Sequence, residues 1–208
     1  MFRIRFAVAV LATVASISVG ICFGAASQAV AAPGTKIAST FAELSERPRT
    51  SATQVYLFRG LLNVFSLGMD GLADELHSVG ISATVANHAS WQSIADDIAA
   101  NYKAGRRGPV VLIGHSLGAD AVMMMGTYLG QMGVPVSLIV PFDGTGPHAA
   151  SANVARVLNF YKSQSVITRG PGFHGELTNY YVSDTRVTHF NIDANSRLHR
   201  IVISKIRG

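Results

Sequence analysis

Residues 110–126, "VVLIGHSLGADAVMMMG", pass from four aliphatic residues through Gly114-His115-Ser116-Leu117-Gly118 into a stretch with helical spacing. The aliphatic run has the length and branching of a buried strand. A serine with glycine two positions away on each side then stands where strand must turn into helix. A turn that sharp forces its central residue into strained backbone geometry, so the flanking positions must lack bulk, and Gly114 and Gly118 supply the room. It also sets Ser116 at a helix N-terminus, where N–H groups without helical partners and the helix dipole favour developing negative charge. Alone the pentapeptide is a weak signal, because 20 of the 208 residues are glycine; its weight comes from the strand before it and the helix after it. The plainer alternative is a turn serine with an architectural role and no chemistry.

Outward from this turn, short runs rich in β-branched or aromatic residues recur at 55–58 (VYLF), 81–86 (ISATVA), 136–142 (VSLIVPF), 154–161 (VARVLNFY) and 177–182 (LTNYYV). Each reads as a strand. Helical patterns lie between the early ones. In "MDGLADELHSVG", Leu72 and Leu76 share a face and Gly80 ends the helix. In "SWQSIADDIAANYKAG", Ser90 is the expected cap, Trp91, Ile94, Ile98 and Tyr102 form a stripe, and Gly105 is the stop. A helix over 117–132 follows the serine, and "NSRLHRIVISKIRG" closes the chain with Leu198, Ile201, Val202 and Ile206 at helical spacing. Strand–helix alternation without hairpin signals predicts a three-layer α/β fold of about six mostly parallel strands, with helices on both faces. The stretch 143–153 is short for a crossover between parallel strands. Either its helix is a single turn or the strand limits shift by a few residues, and neither leaves room for a large lid.

The N-terminal "MFRIRFAVAVLATVASISVGICFGAASQAVAAPG" carries Arg3 and Arg5, a long uncharged apolar run, then Ala29-Val30-Ala31. This is the layout of a cleavable secretory signal peptide over 1–31, with an uncleaved membrane anchor as the alternative. Ile21 is too bulky for Cys22 to be a lipid-modified cysteine. Residues 32–53 read as an exposed polar lead-in and 54–208 as the single folded domain. Cys22 is the chain's one cysteine, so an exported mature protein relies on its core and not on disulfides. The formal charge is +5, two units of it on Arg3 and Arg5; the remaining basic residues are scattered and not interleaved with aromatics, which argues against nucleic-acid binding. Membrane contact is expected only through the signal segment. No His/Cys/Asp cluster has metal-ligand spacing, and no cofactor is implied.

The stretch "VVLIGHSLGADA" and the order of elements around it resemble the α/β-hydrolase superfamily, specifically its small lipase, esterase and thioesterase members, over about residues 54–207. The resemblance implies that Ser116 is a nucleophile and that acid and histidine follow in that order, each on a loop at the C-terminal end of a strand. Asp143 fits the acid because it directly follows "SLIVPF". Asp-Gly also starts turns, and Asp184 and then Glu176 are the alternatives. Many relatives carry the acid one strand later, where "KSQSVITRG" offers no carboxylate. Among seven histidines, His189 follows the last strand and precedes the terminal helix, with His174 in reserve. His115 belongs to the turn, its side chain directed away from the serine's catalytic side. His77 and His199 sit on helices, His88 follows an early strand, and His148 lies in a Gly/Pro-rich loop.

The resemblance also implies oxyanion donors at the backbone N–H groups of Leu117 and Leu61. Leu61 follows Gly60, which lets the backbone approach a ligand closely. Arg59 departs from the His-Gly that relatives often carry there. Phe65, Ser66 and Met69 are candidates to line an acyl site, with Phe65 and Met69 equally readable as core. Met123-Met124-Met125 reads as core filler along the helix. The implied activity is an exported serine hydrolase acting on a small carboxylic ester or thioester through an acyl-enzyme. The alternatives are an inactive binding protein of the same fold, and an acyltransferase whose acceptor is not water.

Overall fold

A computed structural model describes residues 52–61 and 67–208. The signal segment expected over 1–31, all but the last two residues of the 32–53 lead-in, and Phe65 and Ser66 lie outside the described residues. The strands in chain order are β1 (Gln54–Arg59), β2 (Ala83–Asn87), β3 (Val110–His115), β4 (Leu138–Phe142), β5 (His148–Ala150), β6 (Arg156–Tyr161), β7 (Ile167–Arg169) and β8 (Glu176–Tyr181). The helices are α1 (Gly68–Ser78), α2 (Trp91–Lys103), α3 (Leu117–Gln131) and α4 (Ser196–Arg207). Six strands form one parallel sheet in the order β2-β1-β3-β4-β6-β8. No helix among the described residues is long and apolar enough to cross a membrane.

Every residue of β3 and β4 is buried, which is why both read as unbroken apolar runs: a strand covered on both faces has no solvent side to make polar. Period-two alternation sorts their side chains between two cores. Val111, Ile113, Leu138, Val140 and Phe142 pack with Leu72 and Leu76 of α1 and Leu198 and Val202 of α4. Leu112 and Ile139 face the other way, against Ala95 and Ile98 of α2 and Val122, Met125 and Leu129 of α3. Burying a side chain of this size contributes about 1.5–3 kcal/mol, so the two central strands are the best-anchored part of the fold. Their C-terminal ends carry Ser116 and Asp143.

The short crossover holds no helix. Residues after β4 run out as β5, which pairs in parallel with β7 from the next connection, His148 against Ile167. Extended backbone covers about 3.3 Å per residue against 1.5 Å in a helix, so a strand completes a return too short for strand, helix and loops. The small β5–β7 sheet buries Ala150 and Ile167 in the α2/α3 core. "HAA" and "ITR" are too brief to show a period, and both strands were illegible in the sequence. Pro141 sits inside central strand β4, and there the β4–β6 ladder is interrupted: the paired residues are Ile139 with Val157 and Phe142 with Phe160. Proline has no N–H to give.

Two smaller expectations are corrected. Ser90 makes no capping hydrogen bond; Asn87 Oδ1 instead accepts from Ala89 N at 2.8 Å and caps the 3-10 turn His88–Ser90 ahead of α2. Met123 and Met125 are core residues, but Met124 is exposed.

The turn at the top of β3 is closed by missing side chains. A Cβ on Gly114 would lie 2.1 Å from Gly118 O, and one on Gly118 would lie 2.1 Å from Phe58 O. Gly114→Ala and Gly118→Ala should each destabilise the protein by about 2–3 kcal/mol, since backbone must move. Gly71→Ala, on an open helical position with nothing within 4 Å, should stabilise by about 0.5–1 kcal/mol. Urea denaturation of the three variants checks the contrast; equal midpoints would mean that the turn is not closed as described.

Candidate active site

Ser116 has φ 56° and ψ −123° and is one of two non-glycine residues with positive φ among those described, the other being Asp143 at φ 45°. Such conformations cost about 1–3 kcal/mol and persist where surroundings over-determine them. For Ser116 those are the glycine contacts, its N–H donating to Phe142 O at 3.0 Å, and its carbonyl accepting from Ala119 N at 2.9 Å. The hydroxyl is thereby raised at the start of α3. For Asp143, the N–H donates to Phe160 O at 2.7 Å, continuing the sheet as the chain leaves β4.

Asp143 is 1 % exposed. Its Oδ1 accepts from Lys162 N at 2.9 Å, Ser163 N at 3.0 Å and Ser163 Oγ at 2.9 Å. Its Oδ2 lies 2.9 Å from His189 Nδ1, and His189 Nε2 lies 3.0 Å from Ser116 Oγ. Because the carboxylate only accepts, the imidazole carries a proton on Nδ1; when neutral, its Nε2 lone pair receives the Ser116 hydroxyl. Burial alone would raise the Asp143 pKa, but the hydrogen bonds from His189, Lys162 and Ser163 outweigh it and hold the carboxyl well below the usual range. The same bond to Asp143, against the cost of burial, lifts His189 above its ordinary 6.5, helped by the charges of Asp143, Asp193 and Asp120. A carboxylate, a raised imidazole and a half-exposed hydroxyl in one line can move a proton from Ser116 and stabilise the resulting imidazolium.

The other acid and base candidates stand elsewhere. Asp184 follows β8 but is paired with Arg186 at 2.8 Å. Glu176 opens β8, so it lies at the opposite end of the parallel strands, where Lys205 Nζ meets it at 3.0 Å. His174 is exposed and also precedes β8. Met69 is fully buried in the α1/α4 core and does not line a site. Leu117 opens α3 directly after Ser116, and Leu61 is exposed beyond β1. Arg59 forms a two-point hydrogen bond with Asp70 in the first turn of α1, Nε to Oδ2 at 2.8 Å and Nη2 to Oδ1, and so ties together the two ends of the connection that carries Leu61.

Three residues around the line were not singled out from sequence as supports. His115, 1 % exposed, donates from Nε2 to the His189 carbonyl at 2.7 Å, its ring 5.1 Å from that of His189. Burial pushes its pKa down despite nearby Asp193. His199 donates from Nε2 to Asp193 O at 2.5 Å and meets Glu75 Oε1 at 2.9 Å, which fixes the turn after His189. Asp120, one helical turn beyond Ser116, accepts from Thr145 Oγ1 at 2.5 Å and His148 Nε2 at 3.0 Å, stapling the loop after Asp143 to α3. Apart from His199 with Asp193, these contacts join residues 25 or more apart in the chain, and no local pattern announces them.

The sheet order, the helices on both faces and the positive-φ serine between β3 and α3 define a three-layer α/β-hydrolase-like fold. No protein-family model matches the chain, and a comparison with curated proteins finds no significant match. Solved structures similar to it include an alpha/beta-superfamily protein from Xanthomonas campestris pv. campestris, described as a hydrolase, at 16% identity and TM-score 0.45 over 73% of this chain and 98% of that one. Another is the RedJ thioesterase of the prodiginine biosynthetic pathway in Streptomyces coelicolor, at 11% identity and TM-score 0.47 over 85% and 97%. An extracellular alpha/beta-hydrolase from a Paenibacillus species is similar at 19% identity and TM-score 0.33 over 46% and 42%.

Two adjacent histidines with opposite shifts give a direct check. Followed by NMR, His189 should titrate above 6.5 and His115 below it. Asp143→Asn should lower the His189 midpoint, because the negative charge that favours imidazolium is gone. A His189 midpoint at or below 6.5 in the unsubstituted protein would contradict the pairing.

Proposed function

We propose that the protein is a serine hydrolase that cleaves a small carboxylic ester or thioester through an acyl-enzyme on Ser116. One observation carries this reading: the unbroken hydrogen-bonded line Asp143–His189–Ser116, with the hydroxyl raised on a positive-φ turn. Ser116 Oγ attacks the acyl carbon while its proton passes to His189 Nε2, and ionised Asp143 stabilises the imidazolium. The carbonyl oxygen becomes an oxyanion facing the N–H groups of Leu117 and Leu61. As the tetrahedral intermediate collapses, the bond to the leaving oxygen or sulfur breaks, and His189 returns the proton to that atom. Water, deprotonated by His189, then attacks the acyl-enzyme, releases the carboxylic acid and restores Ser116. Exposed Leu61 and Phe190, the latter next to His189 with ring centroids 5.5 Å apart, offer apolar surface for the acyl group. The reading includes export by the 1–31 segment, with action outside the cytoplasm.

Stopped-flow hydrolysis of p-nitrophenyl acetate and butyrate tests it. A burst of p-nitrophenol equal to the enzyme concentration is expected, and Ser116→Ala should abolish it. Asp143→Asn should lower kcat by on the order of 10⁴-fold. Since neutral His189 is the base, kcat/KM should fall as pH drops through its raised pKa, with the acid limb above 6.5. Linear release from the first turnover, no faster than in Ser116→Ala, would contradict the reading.

A further inference from the structure

The two ladders of β1 put Gly60 between two functional neighbours. Arg59 pairs with Asn87 of β2, so the next residue on each chain, Gly60 and His88, come side by side, and His88 Nδ1 lies 3.2 Å from Gly60 O. On the other side Phe58 pairs with Gly114 of β3, two residues before Ser116, and the start of α3 stands over this end of β1, where a Cβ on Gly118 would lie 2.1 Å from Phe58 O and 3.0 Å from Arg59 O. Gly60 is buried and His88 half-buried. A carbonyl only accepts, so His88 carries its proton on Nδ1 and donates it.

The described peptide bonds include no cis bond, and a trans peptide carries its C=O and its N–H in opposite directions. With the Gly60 carbonyl turned towards His88 on the β2 side, the Leu61 N–H of the same peptide unit is turned towards the β3 side, where Ser116 stands. We infer that His88 is a positioning residue: its Nδ1–H holds the Gly60–Leu61 peptide so that the Leu61 N–H faces the oxyanion formed at Ser116. This rests on the serine-hydrolase reading above. The hold matters because glycine permits a peptide flip at little steric cost. A flip would turn an acceptor oxygen, in place of a donor, towards the developing negative charge. His88 is itself steadied, since the Asn87 cap on Ala89 closes the turn that carries it. On the other strand, the Arg59–Asp70 pair fixes the residue just before Gly60. The contribution belongs to the transition state, where the charge develops, and not to ground-state binding.

The test compares wild type, His88→Ala and His88→Asn on a p-nitrophenyl ester and on its thiono analogue, in which sulfur replaces the carbonyl oxygen and accepts hydrogen bonds poorly. In wild type the oxo ester should react much faster than the thiono ester. His88→Ala should lower kcat on the oxo ester by about 10- to 100-fold, less than outright loss of a donor, with KM within about twofold of wild type. It should also shrink the oxo-to-thiono rate ratio, which general loosening of the fold would not do. His88→Asn, whose amide N–H stands near the Nδ1 position, should recover most of the rate and the ratio. The inference is overturned if His88→Ala keeps the wild-type kcat, if its loss appears in KM, if both esters slow equally, or if Asn behaves as Ala. A wild type unreactive towards both esters would instead overturn the underlying serine-hydrolase reading, and the two failures are therefore distinct.

Discussion

The structure depends on one steric constraint, the contact between backbones at the top of β3. Gly114 meets Gly118, and Gly118 meets Phe58 of β1, at separations that leave no space for a Cβ. Because α3 starts this close to the sheet, Ser116 must take a left-handed conformation, and its hydroxyl stands at the end of the best-buried strand pair. The strain is local and the anchorage is not: β3 and β4 are covered on both faces, so the turn rests on strands buried along their whole length. The nucleophilic role proposed for this hydroxyl gains from such fixity, because misplacement by about 1 Å can cost on the order of 100-fold in rate.

The second requirement is a charge kept where charge is costly. Asp143 is almost wholly buried, yet three donors on Oδ1 and the imidazole on Oδ2 keep it ionised. An ionised buried carboxylate with one oxygen committed to the protein has only the other to offer, which directs His189. His189 is held from behind as well, its backbone carbonyl tied to His115 and the following turn tied through His199. Asp120 adds a further staple between α3 and the loop after Asp143. The three side chains of the line come from loops 27 to 73 residues apart, and each also has contacts of its own outside the line.

Much of this was legible in the sequence because it is local. The buried central strands announce themselves as apolar runs, the turn as two glycines around a serine, and the helices by their period. Asp143 and His189 were legible only through chain order and loop position, read with a family resemblance. What stayed hidden has a common physical character. Strands β5 and β7 are too short to carry a period, and their pairing fills a crossover that helical spacing could not explain. His115, Asp193 and His199 act through side-chain contacts with residues distant in sequence. His88 was read only as following an early strand, because the role proposed for it rests on a carbonyl, and backbone direction leaves no mark on residue identity. Met124 and Ser90 went the other way: each matched a local pattern, and tertiary context set it aside.

On the proposed reading, Ser116 is a nucleophile activated by its neighbours. Its most direct test is intact-mass analysis of the folded protein after exposure to a fluorophosphonate, with peptide mapping of any adduct. One adduct per chain is expected, on Ser116, absent in Ser116→Ala and much slower to form in His189→Ala. No adduct on folded wild type, or an adduct on another residue, would contradict it and leave the glycine-flanked turn as architecture alone.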